Sequence, residues 1–244
     1  MPSTKLLYWE DSYLSRFEGS ILRAEPDEKR FFYLVLDRTV FHPKIGGQPS
    51  DRGMLRAAGL RVEVRKVMQA KDVLVHWGKA QEGEPTAGSV QGEIDWPWRY
   101  LLMRRHTAGH LLDHCLGVAV GRSIETLGSW LGEGCYVEYR GAVPSSSVLA
   151  NAQELETRMI ARGAEVTVEL VSNEELLRRA PEAPNIYRLP ALGTYRIVTI
   201  QGCAPIPCSG THLKNISEIG GCHIAEAAPT EEGFRVYYDV SPSG

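Results

Sequence analysis

Trp96-Pro97-Trp98-Arg99-Tyr100-Leu101-Leu102-Met103-Arg104-Arg105-His106-Thr107-Ala108-Gly109-His110-Leu111-Leu112 is the stretch on which the fold class turns. Pro97 suits the first turn of a helix, where its missing N–H costs nothing. Leu101, Leu102, Ala108, Leu111, Leu112 and Cys115 then supply apolar positions at helical spacing, which predicts a helix over 98–116 closed by Gly117. Upstream the pattern is that of strands. Phe31 to Leu36 is an unbroken apolar run of strand length, Arg61 to Val67 alternates with period two, and 72–77 and 91–96 read the same way. Turn signals at Ala58-Gly59, Gly83 and Ala87-Gly88 separate them. Short strands with no helix between them predict a small barrel or sandwich.

Downstream the elements mix. Strands are expected at 135–139, 166–171, 195–200 and 234–240. Helices are expected at 148–162, stopped by Gly163, and after Ser172-Asn173-Glu174-Glu175, a capping-box pattern opening a short helix to Arg179. There is no regular βαβ rhythm, so the class is α+β. The division falls near Asp95: a β-domain over 1–94, then an α+β domain over 95–244.

Composition narrows the function classes. A chain of 244 residues with 43% apolar residues can bury a real core in one large or two small domains. No apolar run approaches the roughly 20 residues of a membrane span, and Met1 to Asp11 has no signal-peptide pattern, so no membrane partner is expected. Five cysteines, odd in number and scattered, fit no secreted framework and point to a reducing cytosol. The net charge of −3 announces no nucleic-acid partner. Any RNA contact must come from a local patch such as Arg99, Arg104 and Arg105, or Lys44 and Arg52.

Two matched pairs carry the chemistry. His106 and His110 are four apart, as are Cys208 and His212. On a helix or a helical turn, such positions share a face. Brought together, they offer three imidazoles and one thiolate to a zinc ion. Each pair alone also reads as a polar stripe on a half-buried helix, or as a small buried cysteine; two matched pairs are required by no packing rule. A zinc-protease helix is excluded, because Thr107 stands where H-E-x-x-H needs its glutamate.

The second unusual segment is Phe41-His42-Pro43-Lys44-Ile45-Gly46-Gly47-Gln48-Pro49-Ser50-Asp51-Arg52-Gly53. Its paired glycines allow positive φ and close approach to a ligand, or simply a turn between strands. Taken with His106-Thr107-Ala108-Gly109-His110-Leu111-Leu112 and Cys208-Ser209-Gly210-Thr211-His212 through Ile219-Gly220, it resembles the stand-alone alanyl-tRNA editing proteins of the AlaX type. The three motifs occur in that family's order, and the resemblance spans nearly the whole chain. Ser217 replaces a threonine in the tail of the last motif. The same constellation occurs in the editing domains of alanyl- and threonyl-tRNA synthetases, and this chain shows no ATP-binding aminoacylation domain.

The resemblance implies an N-terminal small β-barrel followed by an α+β editing domain, a single zinc ion held by His106, His110, Cys208 and His212, and the acceptor end of tRNA(Ala) as partner. The implied activity is hydrolysis of mischarged tRNA(Ala), chiefly Ser-tRNA(Ala) and also Gly-tRNA(Ala). Zinc can lower the pKa of bound water from about 16 to about 7. A catalytic zinc keeps one position open, so His212 is the ligand most readily given up.

Sparing the alanine ester needs a buried polar group that reads the serine hydroxyl. Thr126 and Gln48 are the candidates for work at the reacting end. Gly46, Gly47, Thr107, Thr211, Arg104 and Arg105 are candidates for substrate contact, with Arg99 and Tyr100 alongside. His114 continues the histidine face but lies outside the motif, as does Cys203. Two other readings stay open: a Ser-tRNA(Thr) deacylase, and a non-catalytic RNA-binding module with structural zinc. Oligomeric state is open between monomer and homodimer.

Overall fold

In a computed structural model, the chain is described over residues 3–71 and 73–241. It divides into two compact units, Met1–Leu102 and Met103–Gly244.

The first unit is a closed barrel of six strands: β1 (Arg16–Pro26), β2 (Phe31–Leu36), β3 (Gly53–Ala57), β4 (Leu60–Ala70), β5 (Val73–Glu82) and β6 (Gly88–Ile94). Their order around the barrel is β1-β2-β5-β4-β3-β6, with β6 closing back onto β1. Asp72, read from the sequence as the start of β5, lies outside the described residues. Closure leaves no sheet edge to protect. Leu34, Leu36, Leu55, Val62, Val64 and Val67 fill the interior. Alternation decides the filling: in β5 the buried positions are Leu74, His76, Gly78 and Ala80. The Phe17 ring lies over Gly92, where a Cβ would come within 2.0 Å of it.

The glycine-rich segment is a tight turn. Ile45 and Gln48 exchange backbone hydrogen bonds of 3.2 and 3.0 Å across Gly46 and Gly47, whose φ angles are +60° and +83°. Two positive φ values at the centre of a two-residue loop demand glycine. Gln48 is fully buried. Asp51 accepts hydrogen bonds from His42 N at 2.6 Å and from Arg99 Nε at 3.0 Å. Arg99 is itself fully buried and also donates to the carbonyls of Ser12 and Val40. It therefore holds the barrel's own backbone and is not available to an RNA surface.

Helix α1 spans Trp96–Val120, two residues earlier and four later than expected. Asp95 Oδ1 accepts from Trp98 N, capping the start. Gly117 does not end the helix. The chain turns at Gly121 (φ +81°), and Arg122 N donates back to Gly117 O, so the returning backbone passes close over Gly117, where a Cβ would stand 3.3 Å from Arg122 O.

The second unit holds two sheets. The first contains β7 (Thr126–Trp130), β8 (Tyr136–Arg140), β12 (Cys222–Pro229) and β13 (Gly233–Val240), in the order β12-β13-β8-β7. The other is β9 (Val166–Ser172), β10 (Thr194–Ile200) and the short β11 (Ile206–Pro207). Helix α2 (Ser146–Arg162) is capped by Ser145 and stopped by Gly163, and the short α3 (Asn173–Arg179) is capped by Ser172. Gln153 of α2 clasps β12, donating to Cys222 O and accepting from Ile224 N. Leu111, Leu112, Cys115 and Leu116 of α1 are buried, as are Val137, Tyr139, Phe234, Val236 and Tyr238 of the sheet. No helix among the described residues is long and apolar enough to cross a membrane.

Candidate metal centre

His106 and His110 occupy one face of α1, as their spacing requires. Cys208 and His212 do not lie on a helical turn. They sit on an irregular loop leaving β11, where Pro205 and Pro207 bar helix and Cys208 N donates to Arg196 O. The loop is clamped from below: Arg196 Nη1 donates to the carbonyls of Cys208 and Gly210 at 2.9 and 2.8 Å. It is tied to the helix by Thr107, whose Oγ1 accepts from Leu213 N at 3.1 Å. The rest of the motif is a capping device. Asn215 and Glu218 form a capping box on the turn Ile216–Ile219, which Gly220 closes with φ +75°.

These supports bring all four expected donors together. The ligand atoms of His106, His110, Cys208 and His212 lie within 4.8 Å of one another. Cys208 Sγ is 3.3 Å from His106 Nε2. The ring centroids of His106 and His212 are 4.3 Å apart, and those of His110 and His212 are 5.1 Å apart. Tetrahedral zinc with bonds of about 2.0–2.3 Å needs donor separations of roughly 3.3–3.8 Å, so this donor set and spacing fit that ion. The electrostatics fit as well. Burial would raise the Cys208 thiol, but His106 and His212 outweigh it and hold the thiol well below its usual range, toward thiolate. Burial and the nearby His106 push His212 toward its neutral form. Metal ligands must be deprotonated; Cys208 and His212 already lean that way, whereas His110 has a proton to give up to the ion.

A carboxylate stands behind the cluster. His110 Nδ1 faces Asp113 Oδ2 at 3.7 Å, and the Tyr139 hydroxyl donates to Asp113 Oδ1 at 2.7 Å. Burial would lower His110, but Asp113 and Cys208 hold it up at about 10 in the absence of a metal. Metal-binding imidazoles are commonly oriented by such a carboxylate. The sequence reading missed Asp113, although its place three residues after His110 puts it on the same helical face.

The remaining candidates are placed as follows. Thr126 is buried at the start of β7; its Oγ1 donates to Pro184 O at 3.2 Å and accepts from Arg188 Nη2 at 2.8 Å. Thr107 and Thr211 are fully buried. Arg104 donates to the carbonyls of Ile219 and Ser241, and Arg105 to Asp239, Leu131 O and Gly132 O. Both guanidiniums are thus taken up by the protein's own oxygens, Arg105 in part by the exposed Asp239, and both residues are buried, which corrects the expectation that they face RNA. His114 and Cys203 line a cavity of about 570 Å³ that begins at His110 and Asp113 and is walled by Val118, Val198 and Ile206. Gly46, Gly47 and Gln48 belong to the first unit's turn.

The barrel, the mixed sheet-and-helix unit and the buried four-donor cluster define a two-unit α+β protein with a built site for one metal ion. A family model described as tRNA synthetases class II (A) matches residues 8–98. The chain is 30% identical over 247 residues to an alanine–tRNA ligase of Metallosphaera sedula, covering 96% of this chain but 26% of the ligase. It therefore spans about a quarter of the length of such ligases. It is also 32% identical over 245 residues to the alanyl-tRNA editing protein AlaX-M of Methanosarcina acetivorans, covering 96% of this chain and 98% of that protein. The AlaX-M of Methanosarcina barkeri is 31% identical over 243 residues, with the same coverage. The chain belongs to the AlaX-M family of alanyl-tRNA editing proteins.

Proposed function

We propose that this protein hydrolyses the ester of wrongly charged tRNA(Ala), chiefly Ser-tRNA(Ala) and also Gly-tRNA(Ala), at a single zinc ion held by His106, His110, Cys208 and His212. The observation that carries the reading is the convergence of those four donors within 4.8 Å, in a chain aligned over nearly its whole length with editing proteins. When bound, zinc supplies Lewis-acid polarisation at the reacting end.

The chain's own residues do the rest. Asp113, held by the Tyr139 phenol, orients the His110 ring. Arg196 and Thr107 fix the loop that carries Cys208 and His212. The largely apolar cavity that reaches His110, Asp113 and Pro184, the hydrogen-bond partner of Thr126, offers a recess for the aminoacyl end of the acceptor strand. A buried polar group that pairs with a serine hydroxyl discriminates strongly against alanine, because alanine leaves it unpaired. Thr126 is that group in this reading, through the one lone pair that its bonds to Pro184 and Arg188 leave at Oγ1. In this reading the barrel domain is 1–94 and the deacylase domain 95–244, working in the cytoplasm.

The test is a substrate panel. Full-length protein is mixed with tRNA(Ala) charged with serine, glycine or alanine, and with seryl-tRNA(Thr), and release of the amino acid is followed. Rapid loss of serine from tRNA(Ala), with alanine spared, supports the reading. Equal or faster release from tRNA(Thr) moves the substrate to the threonine system. No release from any of the four leaves an RNA-binding module with structural zinc as the better account.

A further inference from the structure

Arg188 entered none of the expectations, yet it holds the hydroxyl that the specificity argument needs. It ends a short turn, Ile186–Arg188. Ile186 and Leu189 pack against the small core of Val171, Leu176, Tyr195 and Ile197, which fixes the turn. Burial lowers the Arg188 guanidinium from its usual range, against the opposing charges of Asp113, Glu125 and Cys208. Its one hydrogen bond among the described residues runs from Nη2 to Thr126 Oγ1 at 2.8 Å. Thr126 belongs to β7 and stands opposite Tyr139, the residue that holds Asp113.

The donor and acceptor inventory of this contact is decisive. A threonine hydroxyl has one proton to give and two lone pairs. A guanidinium has no acceptor, so the Arg188 bond can run only toward Thr126. The Pro184 carbonyl has no proton, so the bond at 3.2 Å can run only away from Thr126. Both neighbours impose the same polarity. The proton of Thr126 is committed to Pro184 and one lone pair to Arg188, which leaves a single lone pair at Oγ1. A third partner must therefore be a donor. The hydroxyl of a seryl ester is a donor; the methyl of an alanyl ester and the hydrogen of a glycyl ester are not.

We propose that Arg188 is a specificity-positioning residue: it pins the Thr126 hydroxyl as a one-way acceptor for the serine hydroxyl of the substrate. This rests on the editing function proposed above. Without Arg188 the Thr126 proton still runs to Pro184, but a second lone pair opens at Oγ1, water can occupy the place of the guanidinium, and the hydroxyl is held on one side only. Binding of the serine side chain then competes with water, and the preference for serine over glycine falls.

The experiment measures kcat/KM on Ser-tRNA(Ala) and Gly-tRNA(Ala) for the zinc-loaded full chain and for Arg188→Met, Arg188→Lys, Thr126→Val and the Arg188→Met/Thr126→Val double variant. Arg188→Met is expected to lower the serine-to-glycine ratio by about tenfold, the scale of one net hydrogen bond to the substrate. Thr126→Val should do the same. The double variant should lose little beyond Thr126→Val, because the two residues act as one unit. Arg188→Lys keeps a cationic donor and should hold the ratio within about threefold of the wild type. Equal losses on both esters in Arg188→Met, multiplying losses in the double variant, or a lysine variant as indifferent as the methionine one would overturn the proposal. Failure of the wild-type protein to release either amino acid would instead remove the functional reading itself, and the role of Arg188 with it.

Discussion

The side chain that most sharply separates a built metal centre from a chance cluster is Asp113. It is fixed by the Tyr139 phenol at 2.7 Å and turned toward His110 Nδ1 at 3.7 Å. Substitution of a carboxylate that orients a ligating histidine weakens metal affinity by about 10- to 100-fold. Asp113→Asn should therefore shift zinc affinity by that factor in competition with a chromogenic chelator, while Tyr139→Phe, which keeps the carboxylate, should shift it less. Equal affinity for Asp113→Asn and the parent would mean that His110 needs no orienting partner.

At the scale of elements, the motif glycines and caps explain why the two halves of the site meet. A Cβ at Gly109 would stand 2.6 Å from the Tyr238 hydroxyl, which donates to Arg105 O at 2.8 Å. The glycine between the two histidines thus lets α1 lie against β13. Gly109→Ala should push the helix off the sheet and destabilise the protein by about 1–3 kcal/mol, read as a lower midpoint in urea; an unchanged midpoint would show that Tyr238 can move at no cost.

The elements legible in the sequence were those with strong patterns. The apolar run Phe31–Leu36, the Ser172 cap and the Gly163 stop fall where they were expected. Arg16–Pro26 was not legible, because Gly19, Ser20 and a register shift between Ile21 and Arg23 interrupt its alternation. Cys222–Pro229 hid for a similar reason, its pairing slipping between Ile224 and Glu226. The four donors were legible from spacing alone, but the helical turn assumed for Cys208 and His212 was not what brings them in. Arg196 does that through two carbonyls, and no local pattern announces a clamp between residues so far from an ordinary motif.

Across the whole molecule, one buried carboxylate makes stability depend on pH. Glu156 is fully buried on α2 with the Cys222 thiol as its polar neighbour, and burial pushes its pKa up to about 8. In the unfolded chain a glutamate titrates near 4.3. Between these values the folded state keeps a proton that the unfolded state has lost, so Glu156 stabilises the fold at low pH and this contribution fades as the pH rises toward 8. The slope is about 1.4 kcal/mol per pH unit. Buried His76, lowered to about 4 by burial, opposes this trend at the acid end, so the comparison should be made against Glu156→Gln. The glutamine variant should gain on the parent steadily from pH 5 to pH 8 in urea unfolding; parallel curves would mean that the glutamate is charged in the fold at little cost.

The central claim is that one ion at His106, His110, Cys208 and His212 is where the ester is cut. The most direct measurement is the rate of serine release from Ser-tRNA(Ala) by the same protein sample as purified, after exhaustive chelation, and after return of one equivalent of zinc. The account predicts about one zinc per chain as a tetrahedral site requires, loss of activity with the metal, and its recovery on re-addition. Undiminished serine release from chelated, metal-free protein would contradict it.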